Sequence, residues 1–289
     1  MVDGVAAGPI IVYSAAMRKA VALGKRFAPL ARPVALVGET GVGKRLLARV
    51  IHAESGRTGA FVAGGDGDPP APSLFEQAQD GTLFLDDLPR LPLPSQSAVL
   101  HALDEQGLAP QGSEREILLT CRLIFASQRP LDELVDQGRL LPALRSLIGE
   151  FVIDVPPLRE RFADIAALSY HFLDATREKL RGTGPSVLDP EALNRLLTYQ
   201  WPGNVRELRA AVDWSYVQAA ASGTDRIQIH HLPRGVMVDE ANRRTIDLEG
   251  RRDLSLWAFE RAGHDRKRAA ELLGVHPNTI DNHRRMAGQ

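Results

Sequence analysis

One heptapeptide constrains this chain more than any other: Gly38-Glu39-Thr40-Gly41-Val42-Gly43-Lys44. It lies between a short apolar run, 34–37, and an amphipathic stretch from 44 to about 52. The spacing suits a strand, a tight loop and a helix. Glycines let the loop's backbone curl so that its N–H groups point inward at an anion. The helix N-terminus adds partial positive charge at the same place. Lys44 puts a mobile cation on the outer phosphates. A ligand-free glycine turn can share this pattern, and a bare match arises by chance. The flanking strand, the following helix and an acidic strand downstream weigh against chance. Arg45 stands where a hydroxyl residue usually follows the lysine, so magnesium would lean on Thr40, on water or on the second motif.

That second motif is Thr82-Leu83-Phe84-Leu85-Asp86-Asp87. An apolar strand ending in two carboxylates suits metal and water: Asp86 would hold Mg²⁺ through water, and Asp87 would polarise the attacking water. Further apolar runs at 122–126 and 151–155 read as strands, and 95 to about 106 reads as a helix. A stripe of Met17, Ala20, Val21, Gly24 and Phe27 precedes the first strand. The glycines and prolines of 64–73 permit only a loop. Strands alternating with helices predict an α/β fold with a mostly parallel sheet and helices on both faces. After Arg159 no strand is predicted. Helical spacing covers 164–179, 190–198 and 205–221. Residues 222–250 read as a linker with one short ordered turn, and the last 39 residues as a separate helical unit.

Composition removes some options. Lys plus Arg (35) nearly cancels Asp plus Glu (36), so any case for nucleic acid must be local. No apolar run reaches the roughly 18 residues that span a bilayer, and the start MVDGVAAG lacks the features of a secretory signal. A cytoplasmic protein without a membrane partner is expected. Cys121 is the only cysteine, set in an apolar run, which reads as a buried structural thiol. His101, His171, His230, His231 and His264 lack metal-ligand spacing.

The tail carries the local case. Residues 251–289 hold eight Lys/Arg against five Asp/Glu, the right sign for phosphate contact. The pattern is three helices with a tight turn. Ala269 and Ala270 are small enough for two helices to cross closely, and Gly274 suits the turn. Pro277 fits the first position of the last helix. That helix, about 277–286, would enter the major groove of double-stranded DNA. Arg266, Lys267, Arg268, Arg284 and Arg285 are candidate phosphate contacts. Asn278, Thr279, Asn282 and His283 are candidate base readers. By itself the run 266–268 would read as a solvated basic face.

The motifs also occur in a recognisable order: Ser14-Ala-Ala-Met17, GETGVGK (38–44), Ile51-His52, GTLFLDDL (81–88), Pro92-Leu93, VPPLRER (155–161), Asp164-Ile165 and WPGNVREL (201–208). Over roughly 10–222 the chain resembles the central AAA+ domain of bacterial enhancer-binding proteins, the sigma-54-dependent activators. The tail resembles their Fis-type helix-turn-helix. The resemblance implies an AAA+ P-loop nucleotide-binding subdomain (1–157), a helical lid (158–222), a linker (223–250) and a small all-α helix-turn-helix domain (251–289). It implies ATP or ADP with Mg²⁺ in the cradle formed by Gly38, Glu39, Thr40, Gly41, Val42, Gly43, Lys44 and Arg45. Arg206 matches the lid arginine that contacts nucleotide. RNA polymerase is an implied partner, and so is a homo-oligomer, with dimer and ring both open.

Departures from the family pattern are as informative. Only eleven residues separate Ala63 from Phe75, and they do not contain the GAFTGA signature that touches the sigma factor. Asp87 stands where the family has its catalytic glutamate, one methylene longer. Gln128 replaces the first sensor asparagine. Leu141 and Leu147 occupy the places of two interface arginines, with Arg139 and Arg145 nearby but out of register. In the last helix, Arg284 replaces a core leucine and Ala287 an aromatic. The expectation is a DNA-binding transcription regulator that binds nucleotide, hydrolyses it weakly and does not remodel sigma-54 polymerase. The alternative is an active ATPase that activates that polymerase. About ten residues precede the AAA+ region, so a signal would reach the module directly.

Overall fold

The computed structural model describes residues 10–64, 72–104, 107–108, 117–118, 120–238 and 246–285. Most of the loop expected at 64–73, the end of the helix expected at 95–106, and Ala287 lie outside them. The chain divides into two compact units, one formed by residues up to 10 and 19–155, the other by 11–18 and 156–289.

In the first unit, α1 (Ala15–Phe27) continues from the second unit and leads to β1 (Val34–Val37) and α2 (Lys44–Ala53). Then come β2 (Phe61–Gly64), α3 (Pro72–Gln77), β3 (Thr82–Leu85), α4 (Leu93–Asp104) and the small hairpin of β4 (Gly107–Leu108) and β5 (Ile117–Leu118). The unit closes with β6 (Arg122–Ser127), α5 (Leu131–Asp136), α6 (Pro142–Ile148) and β7 (Val152–Asp154). Five strands form one parallel sheet in the order β2-β3-β6-β1-β7. All residues of β1, β3 and β6 are buried, as expected when helices cover both faces. Parallel pairing gathers the loops after β1, β3 and β6 at one edge, where such sheets place their ligands.

Arg122 is the one charged residue inside these strands. It is buried, and its guanidinium donates to the carbonyls of Phe27, Ala28 and Arg32. It thereby satisfies backbone oxygens at the C-terminal end of α1, where a cation is favoured.

The second unit contains α7 (Phe162–Lys179), β8 (Val187–Leu188), α8 (Pro190–Thr198), α9 (Asn204–Ala221), β9 (Arg226–Ile227) and α10 (Arg234–Val238). The tail follows as α11 (Leu248–Arg261), α12 (Arg266–Leu273) and α13 (Pro277–Arg285). Its motif residues are mainly structural. The Trp201 indole is fully buried and donates to the Leu196 carbonyl at 2.8 Å. Asn204 accepts the Leu158 N–H at 2.7 Å, tying the PPLRER segment to the start of α9. The Glu207 carboxylate accepts the Gly203 N–H at 2.7 Å, closing the N-terminal turn of that helix.

The beginning of α1 is pinned here too. Asp164, fully buried, accepts the Ser14 N–H at 2.9 Å and the Ser14 hydroxyl at 2.6 Å. Asp253 of α11 accepts the Ala15 N–H at 2.9 Å and pairs with Arg18 at 3.1 Å. Two buried carboxylates thus complement the positive end of the helix.

Three expectations need correction. Strands do occur after Arg159: β8 and β9 pair in parallel. Each has two residues, too short to leave a periodic pattern. Residues 222–238 are not linker. Ile227, Leu232 and Val236 are buried in the core shared with α7, α8 and α9, at irregular spacing that a helix or strand template misses. Finally, the tail is not a separate unit. Leu254, Trp257 and Ala258 belong to that same core, with Trp257 5.5 Å from the Tyr170 ring. Their spacing announces an apolar stripe but not which surface it covers.

Candidate functional site

The loop after β1 is built by backbone geometry. The Gly38 N–H donates to the Ser127 carbonyl at 3.0 Å, and the Val155 N–H donates to the Val37 carbonyl at 2.7 Å. A Cβ on Gly38 would meet the Val155 carbonyl oxygen at 2.6 Å, and its φ of 156° disfavours a side chain as well. Gly43 has φ 105° and immediately precedes α2. That conformation turns the chain sharply into the helix, so that the helix N-terminus faces the loop.

Val42 is buried under this turn, as are Leu47, Ala48 and Ile51 along α2. Lys44 is 8% exposed, and its ammonium donates to the carbonyls of Gly38 at 2.7 Å and Glu39 at 3.0 Å. Glu39 and Gly41 are half-buried around it, while Thr40 and Arg45 are exposed. A glycine that admits no Cβ, a helix N-terminus and a lysine folded over the loop make a donor set that fits a polyphosphate.

The loop after β3 is different. Asp86 directly follows the strand, and its carboxylate accepts the N–H of Asp87 at 3.0 Å. Asp87 has left-handed backbone, φ 56° and ψ 58°, a conformation that aspartate adopts more readily than most side-chain-bearing residues. Its carboxylate lies 3.5 Å from the Arg90 guanidinium. Both carboxylates are half-buried and have local partners. The register Leu85↔Phe125 and Val37↔Ser127 brings the ends of β3 and β1 to the same edge of the sheet, on either side of β6. Asp86 would hold a magnesium ion there, with the metal supplying charge neutralisation for phosphates.

Gln128 is exposed one residue beyond Ser127. The Ser127 carbonyl, which holds Gly38, is a contact of the loop that sequence reading did not anticipate. A backbone acceptor leaves no side-chain signature to find. The out-of-register Arg145 pairs with Asp132 at 2.7 Å and donates to the Gly149 carbonyl, and Arg139 is exposed. In the second unit, Arg206 is exposed in the first turn of α9.

The tail forms three packed helices with a left-handed Gly274 (φ 63°) between α12 and α13. Asp265 caps α12, accepting the N–H groups of Lys267 and Arg268. Those bonds, with the adjacent Arg268 and Lys267 charges, hold its carboxyl below the usual range. An aspartate just before a helical run is a readable start signal, but it was missed.

Arg266, Lys267, Arg268, Asn278, Asn282 and Arg285 are all exposed, and Arg266 also pairs with Asp281 at 2.7 Å. Thr279 and His283 are half-buried. The His283 ring is 3.0 Å from the Ser255 hydroxyl, and burial pushes its pKa down. Arg284 lies over the Phe259 ring at 3.8 Å. This is a cation–π contact that holds the end of the last helix against α11.

A model of the sigma-54 interaction domain matches residues 10–71 and 58–153, and one of the AAA+ ATPase lid domain matches 159–247. The sigma-54-dependent transcriptional activator SfnR of Pseudomonas putida is 32% identical over 82% of this chain and 70% of its own length. The belonging is decided by these matches. The chain belongs to the sigma-54 interaction domain family.

The HTH-type transcriptional regulatory protein TyrR of Haemophilus influenzae is 37% identical over 68% of each chain. The structure of NtrX from Brucella abortus in complex with ATP has a TM-score of 0.73 and 24% identity, covering 97% of this chain and 70% of that one. It establishes the AAA+ fold alone. This sigma-54-type chain spans about half the length of the curated relatives it matches first. The lid model reaches 247, so residues 223–247 of the expected linker fall within the family's lid region. Among the described residues, no helix is long and apolar enough to cross a membrane.

Proposed function

We propose that this family member is a DNA-binding transcription regulator whose AAA+ module binds ATP or ADP with Mg²⁺ but hydrolyses it weakly, and which acts without remodelling sigma-54 polymerase. The observation that carries the reading is the contrast at one sheet edge. The cradle of Gly38, Gly43 and Lys44 fits a polyphosphate, while the Asp87 carboxylate is one methylene short and paired with Arg90. A misplacement of about 1 Å can cost on the order of a hundredfold in rate. Arg145, committed to Asp132, is not available in the register of an interface arginine, and a lost arginine finger costs roughly a thousandfold or more.

The two matched stretches of the family model overlap at 58–71. This overlap runs into the 64–74 segment, which lacks the GAFTGA sequence, and so supports a deletion there. In the tail, Asn278, Asn282 and Arg285 at i, i+4 and i+7 form one exposed face of α13, beside the basic start of α12. We assign base reading to Asn278 and Asn282, and phosphate contact to Lys267, Arg268 and Arg285, with Arg266 alongside. Thr279 and His283 face inward and serve the packing of α13. The molecule acts as a homo-oligomer in the cytoplasm.

Thermal shift tests the nucleotide half. ATP with Mg²⁺ should raise the melting temperature of the wild type and leave Lys44→Ala unchanged. No shift in the wild type would refute it. Binding of genomic promoter fragments, reduced by paired Asn278→Ala and Asn282→Ala changes, tests the other half.

The family match itself favours a second reading, an active ATPase that activates sigma-54 RNA polymerase. Robust DNA-stimulated phosphate release together with open-complex formation by that polymerase would establish it.

A further inference from the structure

A cavity of about 240 Å³ lies within the second unit, between α8, α11 and the helix pair α12–α13. Leu193, Leu197, Leu254, Leu273 and Val275 give it apolar walls. Its polar lining has a single character. Arg251, Asn194, Thr279 and His283 face it, and among the described residues none that lines it has a carboxylate side chain. Arg251 is exposed and donates from Nε to the Ile246 carbonyl at 2.9 Å. Among the described residues its two terminal nitrogens have no hydrogen bond. His283 uses Nδ1 on Ser255, which leaves Nε2 for another partner. Concave apolar walls with a few convergent polar groups are the usual make-up of a small-molecule site. A guanidinium whose two terminal nitrogens are unused in a fork selects a carboxylate.

We propose that this cavity binds a small amphipathic anion, an aryl or alkyl carboxylate whose head meets Arg251 and whose apolar body lies against the leucines. The floor comes from the lid helix α8 and the roof from the last helix of the tail. A Cβ on Gly274 would come within 2.8 Å of Pro190, so these elements already touch at the cavity's rim. A ligand there contacts Thr279 and His283, on the inner side of the helix whose outer face carries Asn278 and Asn282. Occupancy is thereby linked to the presentation of that outer face. This link rests on the DNA-binding reading; the binding of the anion does not.

Calorimetric titration of the full chain with 2-naphthoate tests the site. Saturable one-to-one binding is expected, at least tenfold weaker in Arg251→Ala and abolished in Leu193→Trp, which fills the cavity. The neutral 2-naphthalenemethanol should bind at least tenfold more weakly than the acid. Arg251 is exposed, so its variant is expected to fold, and an unchanged melting temperature verifies this. No saturable binding at millimolar 2-naphthoate overturns the proposal. So does equal affinity in wild type and Arg251→Ala, or equal affinity for acid and alcohol. Titrating promoter DNA with and without 2-naphthoate keeps the two readings apart. Absence of DNA binding with the naphthoate isotherm intact sinks the regulator reading and leaves the anion site standing.

Discussion

The loops after β1 and β3 reach the same edge of one parallel sheet, yet they are built on opposite plans. The first is made by conformation. Gly38 and Gly43 adopt backbone that side chains resist, and Lys44 is folded onto the loop's own carbonyls. The second is made by side chains that have already found partners: Asp86 takes the Asp87 N–H, and Asp87 faces Arg90. Gripping a phosphate asks for backbone N–H groups and one cation, and both are held in place. Positioning a water for attack asks for a carboxylate with the right reach, and that element is shortened and locally engaged. On the function proposed above, nucleotide binding and nucleotide turnover would rest on separable pieces of this fold.

The contrast can be broken most directly at Lys44. Lys44→Ala should weaken ATP binding by at least about a hundredfold, since a charge-assisted contact to phosphate disappears. A ligand present at 100 times its dissociation constant stabilises by about 2.7 kcal/mol, so the variant should lose that gain in a melting experiment. Gly38→Ala comes next. The added Cβ has no room against the Val155 carbonyl, and backbone strain of this sort costs about 1–3 kcal/mol. Urea unfolding should show the loss without nucleotide present; an unchanged midpoint would contradict the close approach.

Asp87→Asn sharpens the other side. Phosphate release should change by less than about twofold, because a group already out of place contributes little to the transition state. A large drop would mean that Asp87 works after all.

The smallest effect concerns His52, whose Nδ1 is 2.9 Å from the Thr82 hydroxyl, joining the cradle helix to the acidic strand. Burial foremost, then Arg57 and Arg49, holds its pKa below the ordinary 6.5. The folded state thus favours the neutral ring. Its contribution is present above the ordinary histidine value and is lost as pH falls from there through the folded value. Melting temperature followed from pH 7 to pH 5 should fall less steeply in His52→Gln than in the wild type.

Much of the α/β unit was legible in the chain. The strands at 34–37 and 82–85 coincide with β1 and β3, and in the second unit the helix at 190–198 coincides with α8, because short apolar runs or helical spacing bounded by glycine, proline or acid leave little choice. The cradle was legible for the same reason: its glycines have no better use. What stayed hidden was partnership. Asp253 reads as one more surface acid on a helix, but it caps Ala15 and pairs with Arg18 from 235 residues away. Ile227, Leu232 and Val236 sit among polar residues, and only the packed core shows that they belong to the lid. His283 and Thr279 share a helix with Asn278 and Asn282, and one sequence period cannot say which side meets the protein. Such facts depend on tertiary contact, which local patterning does not encode.

The module is proposed to hold nucleotide without spending it. The most direct measurement is made on one sample: titrate a fluorescent ATP analogue with Mg²⁺, then follow phosphate release at saturation, with and without promoter DNA. The expected result is saturable binding together with turnover far below the roughly 1–10³ s⁻¹ typical of enzymes, unmoved by DNA. Turnover within that range, or no binding at all, would contradict it.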